Sequence, residues 1–133
     1  AELDLQNEEK ACRRRGMQFV SFPIPDRGTP RTPFLFQRVL SLITDDLQSG
    51  GSVLVHCRQG IGRAALIAAA ILAAAGEGAD RAFERIQQAR GRPVPDTDGQ
   101  KEWVRRFAAG LRNTQPPGRA HRRAATPKAY AGR

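Results

Sequence analysis

Residues 52–63, "SVLVHCRQGIGR", set the strongest limit on the fold of this chain. A short, unbroken apolar run passes into two closely spaced glycines, Gly60 and Gly62. It continues directly into a stretch over 62–75 that holds eight alanines with Leu66, Ile67, Ile71 and Leu72. The run over 52–56 predicts a strand covered on both faces, and the alanine-rich stretch predicts a helix. A strand that turns through glycine into a helix is the building unit of α/β domains, whose ligands gather beyond the carboxyl ends of central strands. Cys57 to Arg63 occupy that place.

The remaining segments fall into line with this unit. The charged opening up to Arg15 predicts a helix, closed by Gly16. "MQFVSFPI" alternates apolar and other residues, which predicts a strand. "PDRGTPRTP" carries three prolines and a glycine in nine residues and must be a loop. Thr32 before Pro33 reads as a cap and a first helical position, and Phe36, Val39, Leu40, Ile43 and Leu47 then share one helical face until "SGG". Beyond "GEG", a helix over 79–90 shows Ala79, Ala82, Phe83, Ile86 and Ala89; after "GRPVPDTDG", a last helix turns Trp103, Val104, Phe107 and Leu111 inward. The expected class is therefore α/β, a largely parallel central sheet flanked by helices. Two strands are few for a sheet, so strand material is expected before residue 1.

Composition limits the function classes. The chain has 133 residues, enough for a single core. Its formal net charge of +9 points toward nucleic acid only if the charge lies on a folded face. It does not: residues 1–112 hold 17 basic and 13 acidic side chains, a net of +4, while Arg119, Arg122, Arg123, Lys128 and Arg133 face no acid. The domain is expected over 1–112 and a basic, Pro/Ala/Arg-rich disordered tail over 113–133. A solvated terminus explains that tail without a specific nucleic-acid partner, and His121 within it has no ligand-spaced neighbour. No apolar run reaches the length of a membrane span, and no secretory leader opens the chain. Cys12 and Cys57 are too few for a disulfide framework, so a reducing, cytoplasmic setting is expected.

The segment 57–63 has the makings of an anion site. Backbone amides of a turn that leads into a helix form a cradle for negative charge, and Gly60 and Gly62 let the chain curl closely. Arg63, at the helix start, offers a planar fork to two oxygens of a phosphate. The same field favours a thiolate: cysteines at helix amino termini beside cations fall from near 8.5 to roughly 3.5–7.5. An ionised Cys57 facing a bound phosphate is a nucleophile for phosphorus. An inert, packed thiol is the competing reading, but it needs no such cradle.

"HCRQGIGR" resembles the HC-x5-R signature of the cysteine-dependent protein phosphatases, and "FPIPDRGTP" resembles the aspartate loop of their compact dual-specificity branch, its small bacterial members especially. The similarity runs loosely over about residues 1–111. No Gly-Lys-Ser/Thr follows, so this is not a nucleotide P-loop. The resemblance implies that Cys57 attacks phosphorus and forms a phosphocysteine. It implies that the amides of Arg58, Gln59, Gly60, Ile61, Gly62 and Arg63, with the Arg63 side chain, hold the phosphoryl oxygens. Asp26 would give a proton to the leaving oxygen and take one from water, although a turn aspartate capping its own backbone reads the same in sequence. His56 would orient Cys57. No metal or cofactor is implied. The partner would be a phosphorylated protein or a small phosphomonoester, met by a monomer away from membranes.

Arg27 and Arg58 read equally as substrate contacts or solvated charges, and Cys12 as a helix-face residue. Two departures stand out. The family usually has Ser or Thr after the arginine, whereas this chain has Ala64. The amide that positions water has only Gln100 as a candidate, with Asp98 a weaker one, and an exposed first-turn residue is the competing reading of both. A phosphate-binding module without turnover is the alternative to an enzyme.

Overall fold

The computed structural model describes residues 5–114 of the chain. After a short 3-10 turn at Leu5–Asn7, five helices follow: α1 (Glu8–Arg14), α2 (Pro33–Gln48), α3 (Arg63–Ala74), α4 (Ala79–Arg90) and α5 (Asp98–Thr114). α2 to α5 lie where the apolar periodicity and the caps put them, and α1 is the part of the charged opening that is helical. Thr32 is the extended residue before α2, with Pro33 at the first helical position, and α4 ends at Gly91 in the left-handed conformation (φ 65°).

α3 is the centre of the molecule, packed by α4 and α5 and more lightly by α2. Its alanines explain this. Ala64, Ala65, Ala69, Ala70 and Ala73 are buried with Leu66 and Ile67, and small side chains let neighbouring helices approach closely. Phe36 of α2 closes the core on the far side. It meets Trp103 edge-on at 4.9 Å and Phe107 at 5.2 Å between ring centroids, while Trp103 and Phe107 stack at 5.5 Å. Of the α2 face expected to be apolar, Phe36 and Leu40 are buried, Val39 and Ile43 are half-buried, and Leu47 is exposed.

The central sheet expected from the sequence is not there. Among the described residues the chain is all helical outside its loops, with no strand. Residues 18–24 and 52–57 run without secondary structure, and no backbone hydrogen bond joins one to the other. The apolar patterns report something narrower than a sheet. Phe22 and Ile24 insert into the core while Val20 stays exposed, and Val53 and Val55 are half-buried while Leu54 is 86% exposed. Alternation records which side chains face the core; a strand also needs a neighbour for its amides and carbonyls. The reading of 52–56 as covered on both faces is corrected by the exposure of Leu54.

No helix among the described residues is long and apolar enough to cross a membrane. The expected tail and His121 lie outside the described residues, apart from Asn113 and Thr114, which complete α5.

Candidate active site

The turn between residue 56 and α3 wraps around one sulfur. Gly60 donates its N–H to Cys57 Sγ at 3.2 Å, a closure that requires the positive φ of 72° found at Gly60. Burial pushes the Cys57 thiol up, but hydrogen bonds from the amides of Ala64, Gly60 and Gln59 and the charge of Arg63 outweigh it, so Cys57 is held below the ordinary thiol range. Both cysteines are free thiols.

Two contacts brace the loop from outside. Arg90, the last residue of α4, donates to the Gln59 carbonyl at 3.3 Å, and its guanidinium lies where a Cβ on Gly60 would come within 2.8 Å. On the other side, a Cβ on Gly62 would collide with Asp96 Oδ2 and come within 3.1 Å of Gln100 Nε2. Gly62 is therefore the position at which the loop passes tightly beneath the segment leading into α5.

Asp26 reaches the site on a tight turn. The Gly28 N–H donates to the Pro25 carbonyl at 2.8 Å, and Arg27 takes a left-handed φ of 54°. That conformation costs a non-glycine residue about 1–2 kcal/mol and is seldom kept without a use. The turn brings Asp26 to the end of the Cys57 loop: Asp26 Oδ1 lies 3.3 Å from Arg63 Nη2. Arg63 also donates from Nη1 to the Ile24 carbonyl at 3.4 Å, and Ile24 is itself anchored in the core. One guanidinium thus joins the loop, the acid and the chain leading to the acid.

Asp26, Arg27, Arg58, Gln59 and Asp96 line a cleft of about 320 Å³ at the mouth of the loop. Asp96 was not anticipated from the sequence; "PDTDG" offers two aspartates with no periodicity to choose between them. Asp98, weighed for water positioning, is exposed in the first turn of α5.

Gln100 departs from the exposed reading, for it is completely buried. Its backbone N–H donates to Thr97 Oγ1 at 3.2 Å, and its Oε1 accepts the Thr97 N–H at 3.3 Å. This reciprocal pair is a capping box, legible in the sequence as Thr-x-x-Gln before an apolar helix face. Gln100 Nε2 then donates to the Gly28 carbonyl at 3.0 Å, across 72 residues of chain. The start of α5 and the acid loop are tied by that one amide.

His56 meets Glu8 of α1, Nε2 to Oε1, at 2.6 Å. Cys12 is half-buried on the same helix. Among the described residues no group of three or more His, Cys, Asp or Glu side chains is placed to hold a metal ion.

The turn at 57–63 thus closes amides on a sulfur held below the ordinary thiol range, with an arginine and an aspartate at its rim. The family model for the dual specificity phosphatase catalytic domain matches residues 1–108, and the chain belongs to that family. Dual specificity protein phosphatase 2 of Mus musculus is 38% identical over 74 residues, covering 55% of this chain and 23% of the relative. Its Homo sapiens counterpart is 36% identical over 75 residues, covering 56% and 24%. The chain thus aligns with about a quarter of the length of these relatives. No solved structure gives a significant match.

Proposed function

We propose that this domain hydrolyses phosphomonoesters of proteins, phosphotyrosine together with phosphoserine and phosphothreonine, through a phosphocysteine intermediate. One observation carries the reading: the Gly60 amide lies 3.2 Å from Cys57 Sγ, in a loop whose field favours the sulfur anion.

In the first step the Cys57 thiolate attacks phosphorus and the bond to the leaving oxygen breaks, while Asp26 supplies the proton that oxygen needs. The loop amides and Arg63 hold the three non-bridging oxygens as charge moves across them. In the second step water attacks phosphorus, the S–P bond breaks, the thiolate is restored and Asp26 takes the water's proton. Gln100, fully buried, holds the turn that carries Asp26 against α5 through its bond to the Gly28 carbonyl.

Support for a broad substrate range comes from the cleft. Its lining of Asp26, Arg27, Arg58, Gln59 and Asp96 contains no aromatic or aliphatic side chain. Such a wall does not demand an aromatic ring beside the phosphate, which accords with the words "dual specificity" in the names of the mammalian relatives. A thiolate nucleophile works best where thiols stay reduced, and we place the domain in the cytoplasm as a monomer.

The test is hydrolysis of a small aryl phosphate by the wild type and by Cys57→Ser, with vanadate as inhibitor. Turnover should vanish in the variant while anion binding persists. Equal turnover in both proteins would remove the mechanism.

A further inference from the structure

We propose that Glu8 of α1 is a positioning residue for the nucleophile, acting through His56; the proposal rests on the thiolate reading above. α1 has no buried residue, so apolar packing does not explain where it sits. Its two leading carboxylates behave differently. Glu9 turns outward to Arg13 at 2.7 Å with 53% of its side chain exposed. Glu8 turns inward, is 25% exposed, and receives His56 Nε2 at 2.6 Å. The contact is an ion pair when the ring carries its second proton, and it restrains where the far side of the ring can sit.

His56 and Cys57 share a peptide bond. A ring held at its far nitrogen limits the swing of that peptide, and with it the direction in which Cys57 presents Sγ to the amides of Gln59, Gly60 and Ala64. Those amides act on the sulfur only over hydrogen-bond distance, so a small rotation weakens all of them together. Docking of α1 is thereby coupled to the readiness of the thiolate. Nothing local in the sequence marks the pair, which is separated by 48 positions.

The experiment uses the full chain and two readouts: the pH profile of Cys57 alkylation by iodoacetamide, mapped by peptide mass, and kcat and KM on an aryl phosphate. In Glu8→Ala the alkylation profile should move to higher pH, and kcat should fall about tenfold with KM within about twofold, a loss equivalent to about 1.4 kcal/mol at the transition state. Glu8→Gln keeps an oxygen for Nε2–H and should restore most of kcat. Glu8→Ala combined with His56→Ala should be no worse than His56→Ala alone, because the carboxylate acts only through the ring.

An unchanged profile and kcat in Glu8→Ala, or losses that multiply in the double variant, would overturn the proposal. Should Glu8→Ala lose its helical circular dichroism, His56→Ala decides: a profile shifted to higher pH with the helix signal kept supports the role, and a wild-type profile overturns it. A wild type alkylated at low pH that releases no phosphate would refute the phosphatase reading instead, and the profile would still report on Glu8.

Discussion

Asp26 Oδ1 rests 3.3 Å from Arg63 Nη2, so the acid is docked on the guanidinium that a phosphate would use. The side chain of Asp26 is 81% exposed and that of Arg63 only 27%. The carboxylate is thus the partner free to move when a dianion arrives, and its departure leaves it at the cleft mouth beside the ester oxygen. Asp26→Asn should cut kcat by about 10²–10⁴ for alkyl phosphates, the range of a lost general acid, and by much less for nitrophenyl esters, whose oxygen leaves without a proton. Vanadate should bind the variant at least as tightly as the wild type, since a competitor for Arg63 has gone. Equal losses on both esters would show that Asp26 is not the donor.

The sulfur should titrate early. The loop amides and Arg63 favour the anion, which lowers the Cys57 pKa, so the thiolate persists to lower pH than in a free cysteine near 8.5. Alkylation of Cys57 and the acid limb of kcat/KM should therefore share a midpoint clearly below that value. On the acid side, activity should be lost as pH falls through that midpoint. A midpoint at or above the ordinary thiol value would contradict the geometry of the loop.

Arg63→Lys keeps a charge and loses the fork. Nη1 and Nη2 of Arg63 serve different partners, the Ile24 carbonyl and Asp26, and a lysine cannot span both. We expect kcat/KM to fall about 10²–10³, the scale of a lost oxyanion donor, with the Cys57 titration moving to higher pH. Retention of more than a tenth of wild-type kcat/KM would mean that the backbone amides hold the phosphate alone.

Helix boundaries were legible in the sequence because their signals are local. Thr32–Pro33 and Gly91 mark helix ends by backbone preference, and each needs only its neighbours to act. The turn of amides around Cys57 was legible for the same reason, all its parts lying between Cys57 and Ala64. The sheet was not, because the apolar runs at 17–24 and 52–56 specify a buried side but cannot supply a pairing partner. Contacts that brace the site were equally hidden: Arg90 to Gln59 and Gln100 to Gly28 join loops 31 and 72 residues apart. The capping box is the exception, for the local Thr97-x-x-Gln100 pattern carries it, while the burial of Gln100 depends on the distant Gly28.

Gln100→Ala should be a stability variant before it is an activity variant. It removes half of the capping box and leaves the Gly28 carbonyl without its donor, at a buried position. A lost cap costs about 1 kcal/mol and an orphaned buried group about 1–3 kcal/mol. Thermal unfolding should drop by roughly 4–8 °C for each kcal/mol in a domain of this size. The acid loop, released from α5, should also show a raised KM. A melting temperature within 2 °C of wild type (about the measurement spread) would mean that the two hydrogen bonds are readily replaced by water.

Ala64 contributes an amide to the sulfur but has no hydroxyl of its own, and its methyl is buried at 7% exposure. In the second step sulfur must leave phosphorus as an anion, and any donor beside it lowers that barrier. Three amides and Arg63 already face the sulfur, so departure is assisted but one donor short of a loop with serine at this position. Phosphocysteine should accumulate in the wild type and be trapped by rapid quench during turnover. Ala64→Ser adds a hydroxyl in almost the same volume, and should raise the rate of the second step about three- to tenfold, the worth of one hydrogen bond to a charged group being about 1.5 kcal/mol at its lower end. The first step, measured as the burst, should change little. If the burst disappears without any gain in steady-state turnover, the hydroxyl has slowed attack instead, and the three amides with the Arg63 charge suffice for the sulfur to leave.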